Sequence, residues 1–235
     1  MKTLVKPVNR LADLNGAGKK PQTRKADVAV SLPELDIKNF IIELEGTSSL
    51  IVHKFSEKAK GDIADKQQKK AVAGRKTRDP HAEYLSSLYT MDWSPATGKK
   101  GEEYGVPVMG FKKAFVSACR FAGGIPMRRA FSLFFITDAE TGGDVAKISG
   151  GKPEMRTDMV RIGAMKDISD IRYRAEFKTW KVKLRIEYNA ATVSVAQILN
   201  LAHHAGFHVG WGDMRPEKGG HSHGQWKLVN APREE

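Results

Sequence analysis

The stretch with the most chemically useful residues is 210–229, which reads GWGDMRPEKGGHSHGQWKLV. It contains five glycines, two histidines one residue apart and an arginine directly before a proline. Such a set is typical of three different features: a metal site, a phosphate-binding loop or a β-hairpin with a polar tip. The first question is therefore which of these chemistries the neighbouring residues support.

Metal binding requires more ligands than this stretch offers. His221 and His223 would lie on the same side of an extended chain. Zinc sites need about four ligands at fixed spacing, usually with cysteine or carboxylate among them. The chain has one cysteine and no CxxC or HExxH pattern. We therefore predict that the protein binds no metal and no cofactor. If it binds a metal, His221 and His223 are the candidate ligands.

The sequence also lacks a convincing catalytic set. Cys119 is the only cysteine, and a lone cysteine in a helix is more often a small buried apolar residue than a nucleophile. The GxSxG spacing occurs once, at 220–224, but a predicted strand follows it instead of the helix that a nucleophile elbow needs, and no P-loop is present. We expect a protein that is not an enzyme, and a nuclease that uses the C-terminal histidines is the alternative.

The charge of the chain favours an anionic partner. Formal net charge is +12, and the sequence pI is about 9.7. Such an excess of Lys and Arg favours polyanions, above all nucleic acid. The alternative is a soluble protein that is basic without such a partner.

Binding of a single strand needs cations for the phosphates and aromatic rings for the bases. Trp211, Trp226 and Phe207 lie in or beside the glycine-rich stretch, and of these we retain Trp211 as the candidate base platform. The predicted phosphate-binding cations are Lys54, Lys58, Lys112, Lys113, Arg128, Arg129, Arg161, Arg172, Arg174, Lys181, Lys183 and Arg215.

In the first half of the chain, the sequence predicts one long strand and three helices that would position these residues. Alternating apolar residues predict a strand over 37–46, and a short apolar run follows at 50–52. The charged segment 53–78 indicates a solvated helix with a break near Gly61. Asp79 and Pro80 are a start signal for a second helix. The apolar spacing after Pro107 predicts the third, which ends at Gly123–Gly124.

The second half is predicted to be mostly antiparallel sheet. Strands are expected over 131–137 and on both sides of a register slip at Lys178–Thr179. Lys181, Lys183 and Arg185 would share one sheet face, either as a basic platform or as an ordinary solvated face. Ser194 is expected to cap the last helix and Gly206 to end it, before a terminal hairpin formed by 206–211 and 225–229.

These elements indicate an α+β fold in one domain, 34–229, with a charged helical insertion at about 53–103. Residues 1–33 are expected to be a basic flexible arm and 230–235 a tail. No run of eighteen apolar residues and no signal-peptide pattern is present, so we expect a cytoplasmic protein that does not cross a membrane.

Two motifs resemble those of a known superfamily. The segment YGVPVMGFKKAFVSACR and the glycines of the C-terminal stretch are similar to motifs of the RAMP superfamily, the RNA-binding backbone subunits of CRISPR effector complexes. The matching positions are Val106, Pro107, Phe111, Lys112, Ala114, Arg120, Gly206, Gly210, Gly212 and Gly224.

The chain as a whole, over residues 37–229, also resembles an uncharacterised protein family of tailed phages. The segments that carry this second resemblance are SSLIVHKFSEKA, MVRIG, DIRYRAEFKTWKV and GDMRP.

The RAMP resemblance implies a ferredoxin-like (RRM-like) antiparallel sheet with helices on one face. It also implies that sheet and loops bind a single strand and that subunits assemble head to tail. Together with the charge, it leads us to expect a non-catalytic protein that assembles along RNA or single-stranded DNA, in the bacterial host cytoplasm if phage-encoded. The alternative is a structural or scaffolding protein of a phage assembly or replication complex that binds mainly protein.

Overall fold

The structure is a computed structural model that describes residues 34–55, 57–69, 77–162, 168–229 and 233–234. The predicted N-terminal arm, 1–33, lies outside the described residues. The chain from Glu34 onward forms one compact unit. No helix of this described part combines the length and the apolar character that are needed to cross a membrane.

Among the described elements, four strands have nine or ten residues, and the longest helix has 15. The helices are α1 (Glu57–Gln67), α2 (Pro80–Ser86), α3 (Val108–Ala122), α4 (Met127–Ala130) and α5 (Val195–His204), which continues into a π-turn at Ala205–Val209. The strands are β1 (Ile37–Gly46), β2 (Leu50–Val52), β3 (Tyr89–Thr90), β4 (Tyr104–Pro107), β5 (Phe134–Asp138), β6 (Val145–Lys147), β7 (Pro153–Ile162), β8 (Ile168–Phe177), β9 (Lys181–Asn189), β10 (Trp226–Leu228) and β11 (Arg233–Glu234).

The largest sheet has the strand order β10-β1-β9-β5, and all its neighbours are antiparallel. In chain order its elements read β1, α3, β5, β9, α5, β10, a βαββαβ sequence. The strands bury alternate residues, and these apolar side chains form one core with α3 and α5. The predicted α+β class with antiparallel sheet is confirmed.

Two smaller three-stranded sheets contain the remaining strands, except for β11. One has the order β2-β8-β7 and includes the long β7–β8 hairpin, and the other has the order β3-β4-β6. β11 pairs with β1, so this part of the predicted tail extends the large sheet.

Two helix caps and one strand break form where the local sequence predicts them. Asp79 caps α2 with Pro80 at its first turn, and Ser194 caps α5 with a full capping box. The slip at Lys178–Thr179 separates β8 from β9. Because these motifs satisfy backbone groups within a few residues, the local sequence is sufficient to specify them.

Other predictions are wrong. Helix α1 runs through Gly61 without a break. Residues 131–133 form a turn, because Pro126 precedes the short helix α4 and delays the strand to Phe134.

The end of α5 also differs from the prediction. Gly206 does not end the helix, because it lies against Trp226 inside the π-turn, where a Cβ would be 2.2 Å from the Trp226 carbonyl. Gly210 ends the turn with a φ of 71°. The predicted terminal hairpin is therefore a long loop that joins the π-turn to β10.

Alanine substitutions at two helical glycines are expected to change the free energy of unfolding in opposite directions. A Cβ on Gly110 would lie 1.8 Å from Nε1 of Trp211, whereas a Cβ on Gly61 would meet nothing within 4 Å. We expect Gly110→Ala to lower the free energy of unfolding by about 1–3 kcal/mol through overpacking. Gly61→Ala should raise it by about 0.5–1 kcal/mol, because alanine loses less backbone entropy in a helix. Urea denaturation measures both, and a stabilised Gly110→Ala variant would contradict the packing described.

Candidate nucleic-acid interface

A cleft lies between α3, α4 and the loop that follows the π-turn. Its volume is about 460 Å³. We call it the α3 cleft. Its polar and charged lining side chains are His53, Tyr89, Lys113, Ser117, Asp213, Arg215 and Glu217, and its apolar lining includes Met127, Phe131 and Trp211. The cleft thus brings together parts of the chain that are about 160 residues apart in sequence.

Trp211 forms part of the cleft wall but is not an exposed base platform. Only 8% of the residue is exposed, and its ring stacks on Phe111 at 6.0 Å between centroids. Tyr89 packs edge-on against it at 6.4 Å. The predicted role for Trp211 in base stacking does not fit this burial, because both neighbours and Gly110 occupy the space around the ring.

Asp213 anchors the loop to the rest of the molecule. Its backbone N–H donates to the Ile51 carbonyl at 2.9 Å, and its carboxylate lies 3.0 Å from Nδ1 of His53 and 3.6 Å from Nε of Arg174. Burial alone raises the pKa of Asp213, but the hydrogen bond to His53 and the charge of Arg174 outweigh it. The pKa of this carboxyl group therefore lies below its usual range.

Glu217 joins the same loop to α3. Its carboxylate accepts hydrogen bonds from Ser117 and Arg120 on the helix and from Arg215 at 3.1 Å on the loop. Arg215 also donates to the Gly212 carbonyl at 3.2 Å. Burial raises the pKa of Glu217, but the Ser117 and Arg215 hydrogen bonds outweigh it and hold the pKa low. Glu217 thus fixes the directions of two arginines at the cleft.

Lys113 on α3 lines the cleft, whereas the α4 pair Arg128 and Arg129 does not. Arg129 lines a separate pocket beside β5 and β9. All three are exposed, and none forms an ion pair with a described residue. Phe131, directly after α4, is 45% exposed and lines the cleft. The cleft therefore combines one unpaired cation, Lys113, with an open aromatic ring.

The predicted basic sheet face is close to neutral. Lys181 pairs with Glu45 at 3.0 Å, and Lys183 lies 4.0 Å from Glu140 and opposite Glu43 in the register. Cross-strand pairs of opposite charge stabilise antiparallel strands. This face is thus a solvated surface with paired charges rather than a basic platform.

The other predicted cations are scattered. Lys112 is buried with its ammonium 4.2 Å from the centre of the Phe135 ring, and burial lowers its pKa. Arg174 is buried between Asp158 and Asp213. Lys54 donates to the carbonyls of Trp93 and Ser94.

The remaining three predicted cations lie on β7 and β8, the strands of the long hairpin, or on α1. Arg161 is exposed on β7, and Arg172 on β8 lies 3.9 Å from Asp170. Lys58 lies on α1, and its side chain is outside the described part of the structure. Of the predicted residues, the α3 cleft therefore brings together only Lys113, Trp211 and Arg215.

The histidines of the glycine-rich stretch do not converge on a metal site. His221 is exposed, whereas Nδ1 of His223 lies 2.9 Å from the Ser49 hydroxyl. Burial of His223 lowers its pKa. Among the described residues, no three His, Cys, Asp or Glu side chains form a group that could hold a metal ion.

Sequence reasoning missed three residues that shape the cleft: His53, Phe131 and Glu217. The apolar run 131–137 predicts a strand at Phe131, and His53 and Glu217 contact partners 160 and 100 residues away in sequence. No local spacing indicates such contacts. The sequence signals that point to this region are the glycines at 210 and 212 together with the predicted Lys113, Trp211 and Arg215.

Comparison of the chain with models of protein families gives no match, and comparison with curated proteins gives none. The function therefore has to be inferred from the cleft itself.

The low pKa of Asp213 predicts a pH-dependent contribution to stability. A carboxyl group whose folded pKa is depressed stabilises the fold above its unfolded pKa of about 3.9 and loses that contribution as pH falls through the folded value. Asp213→Asn should lower the free energy of unfolding by about 1.5–3 kcal/mol at pH 7.

Urea denaturation at pH 7 and at about pH 3 measures this contribution of Asp213. The difference between wild type and Asp213→Asn should shrink at the lower pH. Glu187→Gln, at an exposed carboxylate on β9, is the control and should change little. An Asp213→Asn deficit of equal size at both pH values would contradict the pairing.

Proposed function

We propose that the protein binds single-stranded nucleic acid in the α3 cleft, in a process that needs no catalytic step. The observation that carries this proposal is that cations from two distant segments, Lys113 and Arg215, line the same cleft as an exposed Phe131. Phosphates are bound by Lys, Arg and backbone N–H groups, and unpaired bases stack on aromatic rings. The cleft offers both kinds of contact within one surface.

The orientation of Arg215 supports phosphate binding. Its guanidinium donates to Gly212 and Glu217, which fixes the plane of the group. A guanidinium has five N–H donors, so others remain for a ligand. A fixed fork matches a phosphate better than a free side chain, because less entropy is lost on binding.

The size of the cleft favours unpaired nucleotides. Pockets of about 300–1,000 Å³ enclose ligands of the size of a small organic molecule. A cleft of about 460 Å³ lies in this range and suits one nucleotide better than the width of a duplex. Entry of single nucleotides requires a strand whose bases are free to leave their stack.

The topology supports a relation to the RAMP superfamily. The βαββαβ order and the strand order β10-β1-β9-β5 are those expected of a ferredoxin-like fold, in which the fourth strand precedes the first, third and second. The motif residues Val106 and Pro107 end β4 and lead into α3, and Gly210 and Gly212 line the cleft. We extend the proposal to head-to-tail assembly along RNA or single-stranded DNA in the cytoplasm, which is that of a bacterial host if the protein is phage-encoded.

A structural protein that binds mainly protein is the second candidate, and one observation favours it. The β7–β8 hairpin exposes three apolar side chains: Met155 at 50%, Met159 at 77% and Ile171 at 44%. Met159 and Ile171 are directly opposite each other in the register. A group of exposed apolar residues is typical of a protein contact.

Replacement of Lys113 by glutamine tests the cleft as the phosphate site. One lost single-strand phosphate contact should lower the slope of log K against log salt by about 0.7, which is about a fivefold loss of affinity at 0.1 M salt. Lys183→Gln removes the same charge from the open sheet face and should have little effect. Fluorescence anisotropy with labelled RNA, single-stranded DNA and duplex measures each variant.

Two outcomes of the anisotropy experiment would overturn the proposal. Wild-type protein that shows no salt-sensitive binding at low ionic strength does not bind phosphates. An effect of Lys183→Gln as large as that of Lys113→Gln would place the strand on the sheet instead.

Light scattering distinguishes the two candidate functions. Assembly along a strand predicts oligomers whose size grows with oligonucleotide length and which dissociate when the strand is digested. A structural protein predicts oligomers at high salt without nucleic acid, and a Met159→Glu variant should then be monomeric.

A further inference from the structure

The π-turn that follows α5 exposes aromatic side chains beside the α3 cleft. The Gly210 N–H donates to the Ala205 carbonyl at 2.9 Å and closes the wide turn, and the Gln225 side chain donates to the Phe207 carbonyl at 2.9 Å. As a result Phe207 is 69% exposed. Single π-turns within helices are frequent at functional sites.

Three rings next to Phe207 form a parallel column. Phe121, on the last turn of α3, stacks on His208 at 4.4 Å with planes 13° apart. His208 in turn stacks on His204 at 5.6 Å and 14°. Phe207 meets His208 edge-on at 4.9 Å. We call Phe121, His204, Phe207 and His208 the aromatic column.

The aromatic column is continuous with the cleft through Arg120. Its guanidinium lies 5.9 Å from the centre of the Phe121 ring and pairs with Glu217, which lines the cleft. Its side chain is 51% exposed. A strand that leaves the cleft past Glu217 would therefore meet a cation first and the aromatic column directly after it.

We propose that the aromatic column stacks the bases of the strand as it leaves the α3 cleft, so that the column is a second, base-binding subsite. The inference rests on the proposed function. Phe121 is 48% exposed at one end of the parallel rings, and Phe207 is the second open ring. Every base has a π-face, so such a subsite binds bases without regard to sequence.

The composition of the aromatic column favours a nucleic acid over a second protein chain. Two of its four rings are imidazoles, and a guanidinium is adjacent, so the surface is polar and cationic as well as aromatic. Aromatic rings alone would fit either partner, because protein–protein interfaces are rich in aromatic side chains and arginine. Planar bases next to phosphates match alternating rings and cations better.

Phe207→Leu is the decisive variant, because leucine keeps an apolar side chain but removes the aromatic face. We expect about a five- to tenfold weaker affinity for a single-stranded 12-mer, at the lower end of the cost of losing one stacked base. Phe121→Leu should have a similar effect. Phe135→Leu, at a 54% exposed phenylalanine on β5, is the matched control and should bind like wild type.

Oligonucleotides with abasic sites separate stacking from any effect on the fold. Without bases there is nothing to stack, so wild type and Phe207→Leu should bind the abasic 12-mer equally. Thermal unfolding should show that all variants keep the wild-type Tm within error.

The outcomes distinguish the two proposals. If Lys113→Gln weakens binding but Phe207→Leu and Phe121→Leu do not, the aromatic column is not a base subsite and the cleft proposal stands. If wild type binds no strand, the proposed function fails and the subsite fails with it. If Phe207→Leu reduces self-association in the absence of nucleic acid and leaves strand affinity unchanged, the column binds a second copy, and the inference is wrong.

Discussion

The indole of Trp211 lies directly against Gly110, and this contact determines how closely the C-terminal loop approaches α3. Any side chain at residue 110 would meet Nε1 of Trp211, so the loop needs a glycine in the first turn of the helix. Asp213 then fixes the loop through Ile51, His53 and Arg174. The cleft, the position of Arg215 and the start of the aromatic column all depend on this approach.

The distribution of charge explains why a net charge of +12 does not identify a binding surface by itself. Lys181 and Arg174 are paired with carboxylates within the fold, and Lys112 is buried over an aromatic ring. Lys113 and the α4 arginines form no ion pair with a described residue. Other exposed cations without an ion pair to a described residue, such as Lys99, Lys152 and Arg161, lie outside α3 and α4, so the total charge does not single out one surface.

The sequence predicts the parts of this molecule that are stabilised locally. The caps of α2 and α5 and the slip before β9 depend on neighbouring residues, so the predictions for Asp79, Ser194 and Thr179 are confirmed. The candidate site cannot be predicted from neighbouring residues in this way. A π-turn adds one residue to a helical turn, and it exchanges the expected roles of Phe207 and Trp211 as buried and exposed rings. The neutral charge of the sheet face could be predicted only with the register of β1 against β9, which places Glu45 opposite Lys181.

Photo-crosslinking tests the central claim most directly, because it locates the strand without any mutation. A single-stranded oligonucleotide with 5-iodouracil at successive positions is irradiated with the full chain, and the linked peptides are identified by mass spectrometry. The account predicts cross-links to Phe131, Phe207 and Phe121, the exposed rings at the α3 cleft and the aromatic column. Cross-links confined to the open sheet face around Phe135 would contradict it.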